Sequence, residues 1–384
     1  MIYLDNCATT KPRESVINVI MESLREDYGN PSSLHRLGLN SEKKIKHARE
    51  IISNYLDINK NELFFTSGGT ESNNIAIQGI IEKYSARGKH IITTKLEHPS
   101  VDNIMKYYES KGYDITYLDN DSFGNIDLNQ LKESIRGDTI LVSIIHVNNE
   151  IGIIQNIEEV RKILNSVQSS ALLHLDGVQS FGKIPFSLKS LGVDTFSFSG
   201  HKVHGPKGVG GLYINNRLNL PPIVLGGNQE SGIRSGTENL SGIIGFGEAV
   251  RILSQEFKNE FQQVSIIKEY LANNIMNEID DIKINSSLDN SSSPYILSVS
   301  FRNIRGEVLL HYLEEEEIYV STTSACSSKG TKKSPILESI GLNDIEIQGT
   351  IRFCFSYETS KPDIDYLMGR LKASVKDIRK IIMR

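Results

Sequence analysis

Lys202 stands in the run Ser197-Phe198-Ser199-Gly200-His201-Lys202-Val203-His204-Gly205, where a β-rich stretch gives way to glycines and hydroxyls. A lysine at the end of a buried strand is poorly explained as surface. Partial burial lowers its pKa and leaves a nucleophilic amine suited to Schiff-base chemistry. His201 reads by itself equally well as a packed core histidine, but Ser199, His201 and Lys202 together suit a phosphate and an aldehyde.

Three further segments carry reactive types. In Phe65-Thr66-Ser67-Gly68-Gly69-Thr70-Glu71 a strand ends, two glycines permit a turn and a helix opens. Free N–H groups and the helix dipole make such an end an anion site, although the same pattern also serves as a plain turn. No Gly-Lys-Ser/Thr follows, so it is not a Walker loop. Asp176 ends the apolar run Leu173-His174-Leu175, either as a cap or paired structural carboxylate or as an acid that keeps a heteroaromatic nitrogen protonated. Cys326 lies in Ser324-Ala325-Cys326-Ser327-Ser328-Lys329-Gly330, where nearby lysines favour the thiolate and the composition suits a mobile, accessible loop. Cys354 alternates with apolar residues as inert core, and Cys7 lies in an apparent turn where a structural role competes with a chemical one.

These segments need a frame. Short β-rich runs at 63–65, 90–94, 115–118, 139–147, 171–176, 195–199 and 209–214 alternate with helical stretches at 71–87, 100–111 and 157–166. That alternation predicts an α/β domain with a mostly parallel, seven-stranded sheet, covered on both faces, with ligands collecting at the carboxyl ends of the strands. A long amphipathic helix at 256–279, strands at 282–285, 295–301, 318–321 and 350–356, and a closing helix after Pro362 predict a smaller α+β domain. The expected division is 14–255 for the large domain, with 1–13 and 256–384 forming the small one. Residues 285–294 are turn chemistry and read as an exposed loop.

The 384 residues suit about two domains, and the net charge of −5 carries no basic stripe that would make nucleic acid a direct partner. Lys43-Lys44 and Lys332-Lys333 read as solvated surface. No apolar run reaches the roughly 18 residues of a membrane helix, and the amino terminus does not read as a signal peptide. Three cysteines without C-x-x-C spacing predict no disulfide framework and a reducing, cytoplasmic setting.

Taken together the segments resemble the cysteine desulfurases of the NifS/IscS group, fold-type I pyridoxal-phosphate (PLP) enzymes of the class V aminotransferase family. The resemblance rests on Tyr3-Leu4-Asp5-Asn6, Gly29-Asn30-Pro31-Ser32-Ser33-Leu34-His35, Thr66 through Asn74, Glu97-His98, His146 through Gly152, Asp176 with Gln179, Ser199 to Lys202, Arg234-Ser235-Gly236-Thr237, Ser324-Ala325-Cys326 and Arg352. It spans nearly the whole chain in the family's order.

The resemblance implies that Lys202 holds the cofactor and moves the Cα proton, that Asp176 pairs with the pyridinium nitrogen, and that His98 stacks on the ring and serves in proton transfer. Gln179 would reach the ring's phenolic oxygen. Gly69, Thr70, Ser199, Gly200 and His201 would cradle the phosphate, and Thr237 would reach the phosphate of a neighbouring subunit in a homodimer. Arg352, with Asn148 and Asn30, would bind the carboxylate of L-cysteine, and Cys326 would take up its sulfur as a persulfide, releasing alanine. No resident metal is implied; Cys326 at most meets the iron of a docked Fe–S scaffold in passing.

The acceptor would be an Fe–S scaffold or a tRNA-thiolation enzyme. The chain ends soon after the helix following Pro362, short of the tail that scaffold-docking members carry, which keeps the second acceptor open. A selenocysteine lyase or another PLP-dependent enzyme of the same fold, such as an aminotransferase, is the alternative reading. Two departures from the family pattern are Gly177 and Cys7, both positions where alanine is common.

Overall fold

A computed structural model describes residues 1–322 and 333–382. The strands are β1 (Ile2–Tyr3), β2 (Leu63–Thr66), β3 (His90–Thr94), β4 (Asp114–Leu118), β5 (Thr139–Ile145), β6 (Leu172–Asp176), β7 (Thr195–Ser199), β8 (Gly210–Ile214), β9 (Ile282–Ile284), β10 (Ile296–Phe301), β11 (Ile318–Tyr319), β12 (Ser321–Thr322) and β13 (Thr350–Cys354).

Seven of them form the large sheet in the order β2-β8-β7-β6-β5-β3-β4, parallel except for β8. This is the predicted α/β architecture. β5, β6, β7 and β8 are buried along their whole length, as strands covered on both faces must be. Because β2 and β7 are each antiparallel to β8, their carboxyl ends fall on the same edge as those of β3, β5 and β6. The segments carrying Gly69, His98, Asn149 and Lys202 all start from that edge, and Asp176 ends β6 there.

The second sheet, β12-β13-β10-β9, is antiparallel, and β1 pairs in parallel with β11 beside it. The stretch expected as one strand at 318–321 is two: it turns away at Val320, so that β11 pairs with β1 while β12 pairs with β13. The expected exposed loop at 285–294 is exposed only in its middle. Asn285, Ser286, Ser292 and Ser293 are buried, and the Lys268 ammonium donates to Ser287 O, Ser292 Oγ and Ser293 O at 2.9–3.0 Å.

The helix expected from residue 256 begins sixteen residues earlier. Leu240–Glu278 is one helix of 39 residues and runs unbroken through residue 255. Its first half lies in the core of the large sheet with Ile243, Phe246, Val250 and Leu253, its second in that of the small sheet with Val264, Ile267, Leu271 and Ile275. No helix among the described residues is long and apolar enough to cross a membrane.

Candidate active site

A cavity of about 290 Å³ opens at the carboxyl edge of the large sheet, lined by Cys7, Ala8, Gly69, Thr70, His98, Ser100, Ile145, Asn149, Asp176, Val178, Gln179, Ser199, His201, Lys202 and Arg352. Lys202 closes a single 3-10 turn, Gly200–Lys202, directly after β7. Its Nζ donates to Cys7 O at 2.5 Å and Ala8 O at 2.9 Å. Burial lowers its pKa from 10.5 to about 8, helped by the positive charges of Lys183 and Arg352 and opposed by Cys7. The amine is therefore partly free near neutral pH, as Schiff-base chemistry requires.

Asp176 ends β6 and is 2 % exposed. Its Oδ2 accepts from Asn73 Nδ2 at 2.8 Å and its Oδ1 from Val178 N at 3.0 Å. Asn73 Oδ1 in turn meets His174 Nε2 at 3.1 Å, and His174 Nδ1 meets Thr195 Oγ1 at 2.8 Å. Full burial pushes the His174 pKa down to about 3, so the ring is neutral. An acceptor at Nε2 fixes the proton there, and Nδ1 receives the Thr195 hydroxyl. The relay fixes the orientation of the Asp176 side chain in the cavity wall.

His98 caps the helix Pro99–Glu109, its Nδ1 taking Ser100 N at 3.1 Å and Ser100 Oγ at 2.8 Å. Burial, with the nearby Lys202 charge, lowers its pKa although Asp176 works the other way. Burial likewise brings His201 down to about 4; its Nδ1 meets Thr9 Oγ1 at 3.2 Å. Gln179 Nε2 donates to Cys7 O at 2.9 Å, and its Oε1 accepts from the buried Lys183 Nζ at 2.9 Å.

Arg352 lies on β13, only 3 % exposed. Its Nη1 donates to Asn149 O at 2.8 Å, its Nη2 pairs with Asp5 at 3.0 Å, and its Nε has no partner. A guanidinium held from behind in this way presents a fork suited to a carboxylate.

Four expected residues are not on the cavity wall. Asn148 spends its side chain on the turn after β5, donating to Leu96 O at 3.0 Å and accepting from Glu150 N and Ile151 N. Its neighbour Asn149 lines the cavity instead, with a buried and unpartnered Oδ1. Asn30 is exposed and caps its own turn through Ser32 N. Thr237 is exposed and lines a separate small pocket with Ser67 and Arg234. Gly200 is buried behind Lys202, against Val209 and Phe246. Cys326 falls outside the described residues. Sequence reasoning missed Asn73 and Lys183, which touch the cavity residues from behind. Asn73 does lie within the Thr66–Asn74 motif, and Lys183 follows Gln179 by four residues.

The chain belongs to the class-V aminotransferase family, whose model matches residues 2–367. Within it, the chain is 40% identical over 380 residues to the cysteine desulfurase IscS of Dictyoglomus turgidum, covering 99% of this chain and 96% of that one. It is 41% identical to the IscS of Buchnera aphidicola subsp. Baizongia pistaciae, covering 99% and 94%. Among solved structures, a NifS-like protein superposes with a TM-score of 0.92 at 38% identity, covering 98% and 99%. SspA in complex with cysteine does so at 0.82 and 32%, covering 94% and 100%.

The family's cofactor is PLP, and the residues present fit it. Ser199 Oγ is buried without a hydrogen-bond partner, beside the opening of the helix Gly69–Tyr84, whose first-turn N–H groups suit a phosphate. Lys202 would hold the aldehyde carbon, Asp176 the ring nitrogen, and Ser199, His201, Gly69 and Thr70 the phosphate. Among the described residues no group of three or more His, Cys, Asp or Glu side chains is placed to hold a metal.

Proposed function

We propose that the chain is a cysteine desulfurase that removes sulfur from L-cysteine, releases L-alanine and passes the sulfur on through Cys326. The observation that carries this reading is the convergence, in one cavity, of a lysine of lowered pKa, a relay-held aspartate and a buried arginine with an unpartnered Nε. PLP, when bound, supplies the electron sink that makes Cα–H and Cβ–S bonds labile.

The chain's own residues do the rest. Arg352 orients the substrate carboxylate, aided by Asn149. Asp176 would pair with the cofactor's ring nitrogen and keep it protonated. Lys202 takes the Cα proton and returns a proton when product forms, with His98 as a second proton carrier on the same wall. Gln179, its amide orientation set by Lys183, donates its N–H to an oxygen in the cavity. The Cys326 thiolate attacks the substrate sulfur, forming a persulfide as the Cβ–S bond breaks. That bond's electron pair stays with the substrate carbon, which is protonated and leaves as alanine, and the persulfide is passed to an acceptor.

That acceptor is an Fe–S scaffold or a tRNA-thiolation enzyme. The relatives' IscS name favours the first. The chain acts as a homodimer in which Thr237 reaches the neighbouring subunit's phosphate site, consistent with its exposure and its absence from the wall of its own cavity. A reducing cytoplasm suits its thiol chemistry.

The test is to supply L-cysteine and a reductant to the PLP-loaded protein. Alanine and sulfide in equal amounts are expected, with Cys326→Ala abolishing both while the cofactor's visible absorption stays. Turnover persisting in that variant, or absorption persisting in Lys202→Ala, would overturn the assignment.

A further inference from the structure

Cys7 and Cys354, both free and both buried, are held together by the backbone around them. Cys354 N donates to Leu4 O at 2.7 Å, Cys354 O accepts from Asn6 Nδ2 at 2.9 Å, and Asp5 bridges Cys354 in parallel. The two thiols lie near enough to perturb each other's ionisation. Cys7 forms part of the cavity wall, whereas Cys354 sits behind it in the core of the small sheet.

Packing alone would be met by any small apolar side chain at either position. The surroundings are not apolar, however: the charges of Lys183, Arg352 and Lys202 converge on Cys7, and Lys183 has no carboxylate partner among the described residues. Those charges and the Cys354 thiol hold the Cys7 pKa down at about 6 against its burial, while burial and Cys7 drive Cys354 well up. Of the two, the Cys7 thiol on the cavity side is therefore the more acidic. That division of roles, an attacking thiolate with a second thiol behind it, is what dithiol–disulfide chemistry uses.

We propose that Cys7 and Cys354 are a redox-active dithiol that closes to a disulfide when a small disulfide enters the cavity. The Cys7 thiolate attacks one sulfur of the incoming disulfide, forming a mixed disulfide and expelling a thiolate. Cys354 then gives up its proton to that thiolate and attacks Cys7 Sγ, and the second small thiolate leaves and is protonated from solvent. Two protein thiols are oxidised and one small disulfide is reduced to two thiols.

Both ends of the new bond touch catalytic groups. The Cys7 carbonyl accepts from Lys202 and Gln179, and Cys354 is two residues beyond Arg352 on β13. Closure also removes the anion that raises the Lys202 pKa, so Lys202 loses its proton at lower pH in the closed form. The chain's activity would in this way follow the thiol–disulfide state of the small molecules that reach its cavity.

The test uses the PLP-loaded protein with Cys326→Ser, which removes the third thiol, incubated with L-cystine and in parallel with hydroxyethyl disulfide. A loss of 2 Da and a Cys7–Cys354 linked peptide, reversed by dithiothreitol, are expected. Cys354→Ser should stop at a mixed disulfide on Cys7, and Cys7→Ser should leave Cys354 unmodified. Both thiols remaining free in excess disulfide, or a mixed disulfide that persists on Cys7 with Cys354 present, would overturn the proposal. So would equal modification of Cys354 when Cys7 is absent. Mass is read without turnover, so failure here is separable from failure of the desulfurase reading.

Discussion

Lys183 gives the sharpest quantitative handle on the site. The fall of the Lys202 pKa from 10.5 to about 8 corresponds to about 3 kcal/mol against its ammonium form, at ~1.4 kcal/mol per pH unit. Burial is the largest cause and the Lys183 charge the next; a like charge at such a site is worth on the order of 1 kcal/mol. Lys183→Met removes a like charge, which favours the ammonium, and the Lys202 pKa should rise by about one unit. The thiolate at Cys7 depends on the same lysine and its loss acts in the opposite direction, so the clean measurement is made in a Cys7→Ser background.

The assay is the rate at which cofactor-free protein modifies at Lys202 with an amine-selective reagent, read by peptide mass from pH 6 to 11. Below both pKa values the rate should fall about tenfold in Lys183→Met and be restored by Lys183→Arg. A profile that does not move, in a variant that melts normally, would refute the electrostatic role of Lys183.

Other outcomes follow from the same geometry. Asn73→Leu leaves Asp176 Oδ2 and His174 Nε2 without partners and should cost about 1–3 kcal/mol in thermal unfolding, with weaker cofactor affinity by equilibrium dialysis. Arg352→Gln should raise KM for L-cysteine by about 30-fold or more with a smaller effect on kcat. Glu150, buried and bonded to Ser334 Oγ at 2.6 Å, has its pKa raised by burial from 4.5 to about 7. The folded chain binds the extra proton, so its contribution to stability is full below pH 4.5 and is lost as pH rises through about 7. Glu150→Gln should flatten the melting temperature across that window. Gly177→Ala would put a methyl 1.9 Å from Phe196 Cε2 and should destabilise by about 1–3 kcal/mol, relieved by Phe196→Leu.

The large sheet was legible because its strands are uninterrupted apolar runs bounded by turn residues, and no tertiary detail is needed to see Ile140 to Ile145 as buried. The site was legible where a reactive side chain follows such a run, as Asp176 and Lys202 do. The start of the helix Leu240–Glu278 was hidden because Gly242, Gly245 and Gly247 lower the helix propensity of its first turns. In the fold Gly247 meets Ala48, and an added Cβ would lie 2.8 Å from it. The break at Val320 depends on two different partner strands, and the burial of Ser292 and Ser293 depends on Lys268 from a distant helix. Asn148 and Asn149 are adjacent in sequence, and only the turn geometry decides which one faces the cavity. Asn73 and Lys183 act through other side chains, so residue type alone could not single them out.

The helix Leu240–Glu278 has a mechanical consequence. At 39 residues it is about 58 Å long, with one end seated among the strands that carry Lys202 and the other among those that carry Arg352. As a stiff rod it turns a one-degree pivot at one end into a displacement of about 1 Å at the other, from the same rise per residue. A change of that size in the spacing between an amine and a guanidinium is enough to spoil alignment of a bound amino acid. Surface substitutions far along this rod should therefore be felt at the cavity as changes in distance, without any change in the residues that line it.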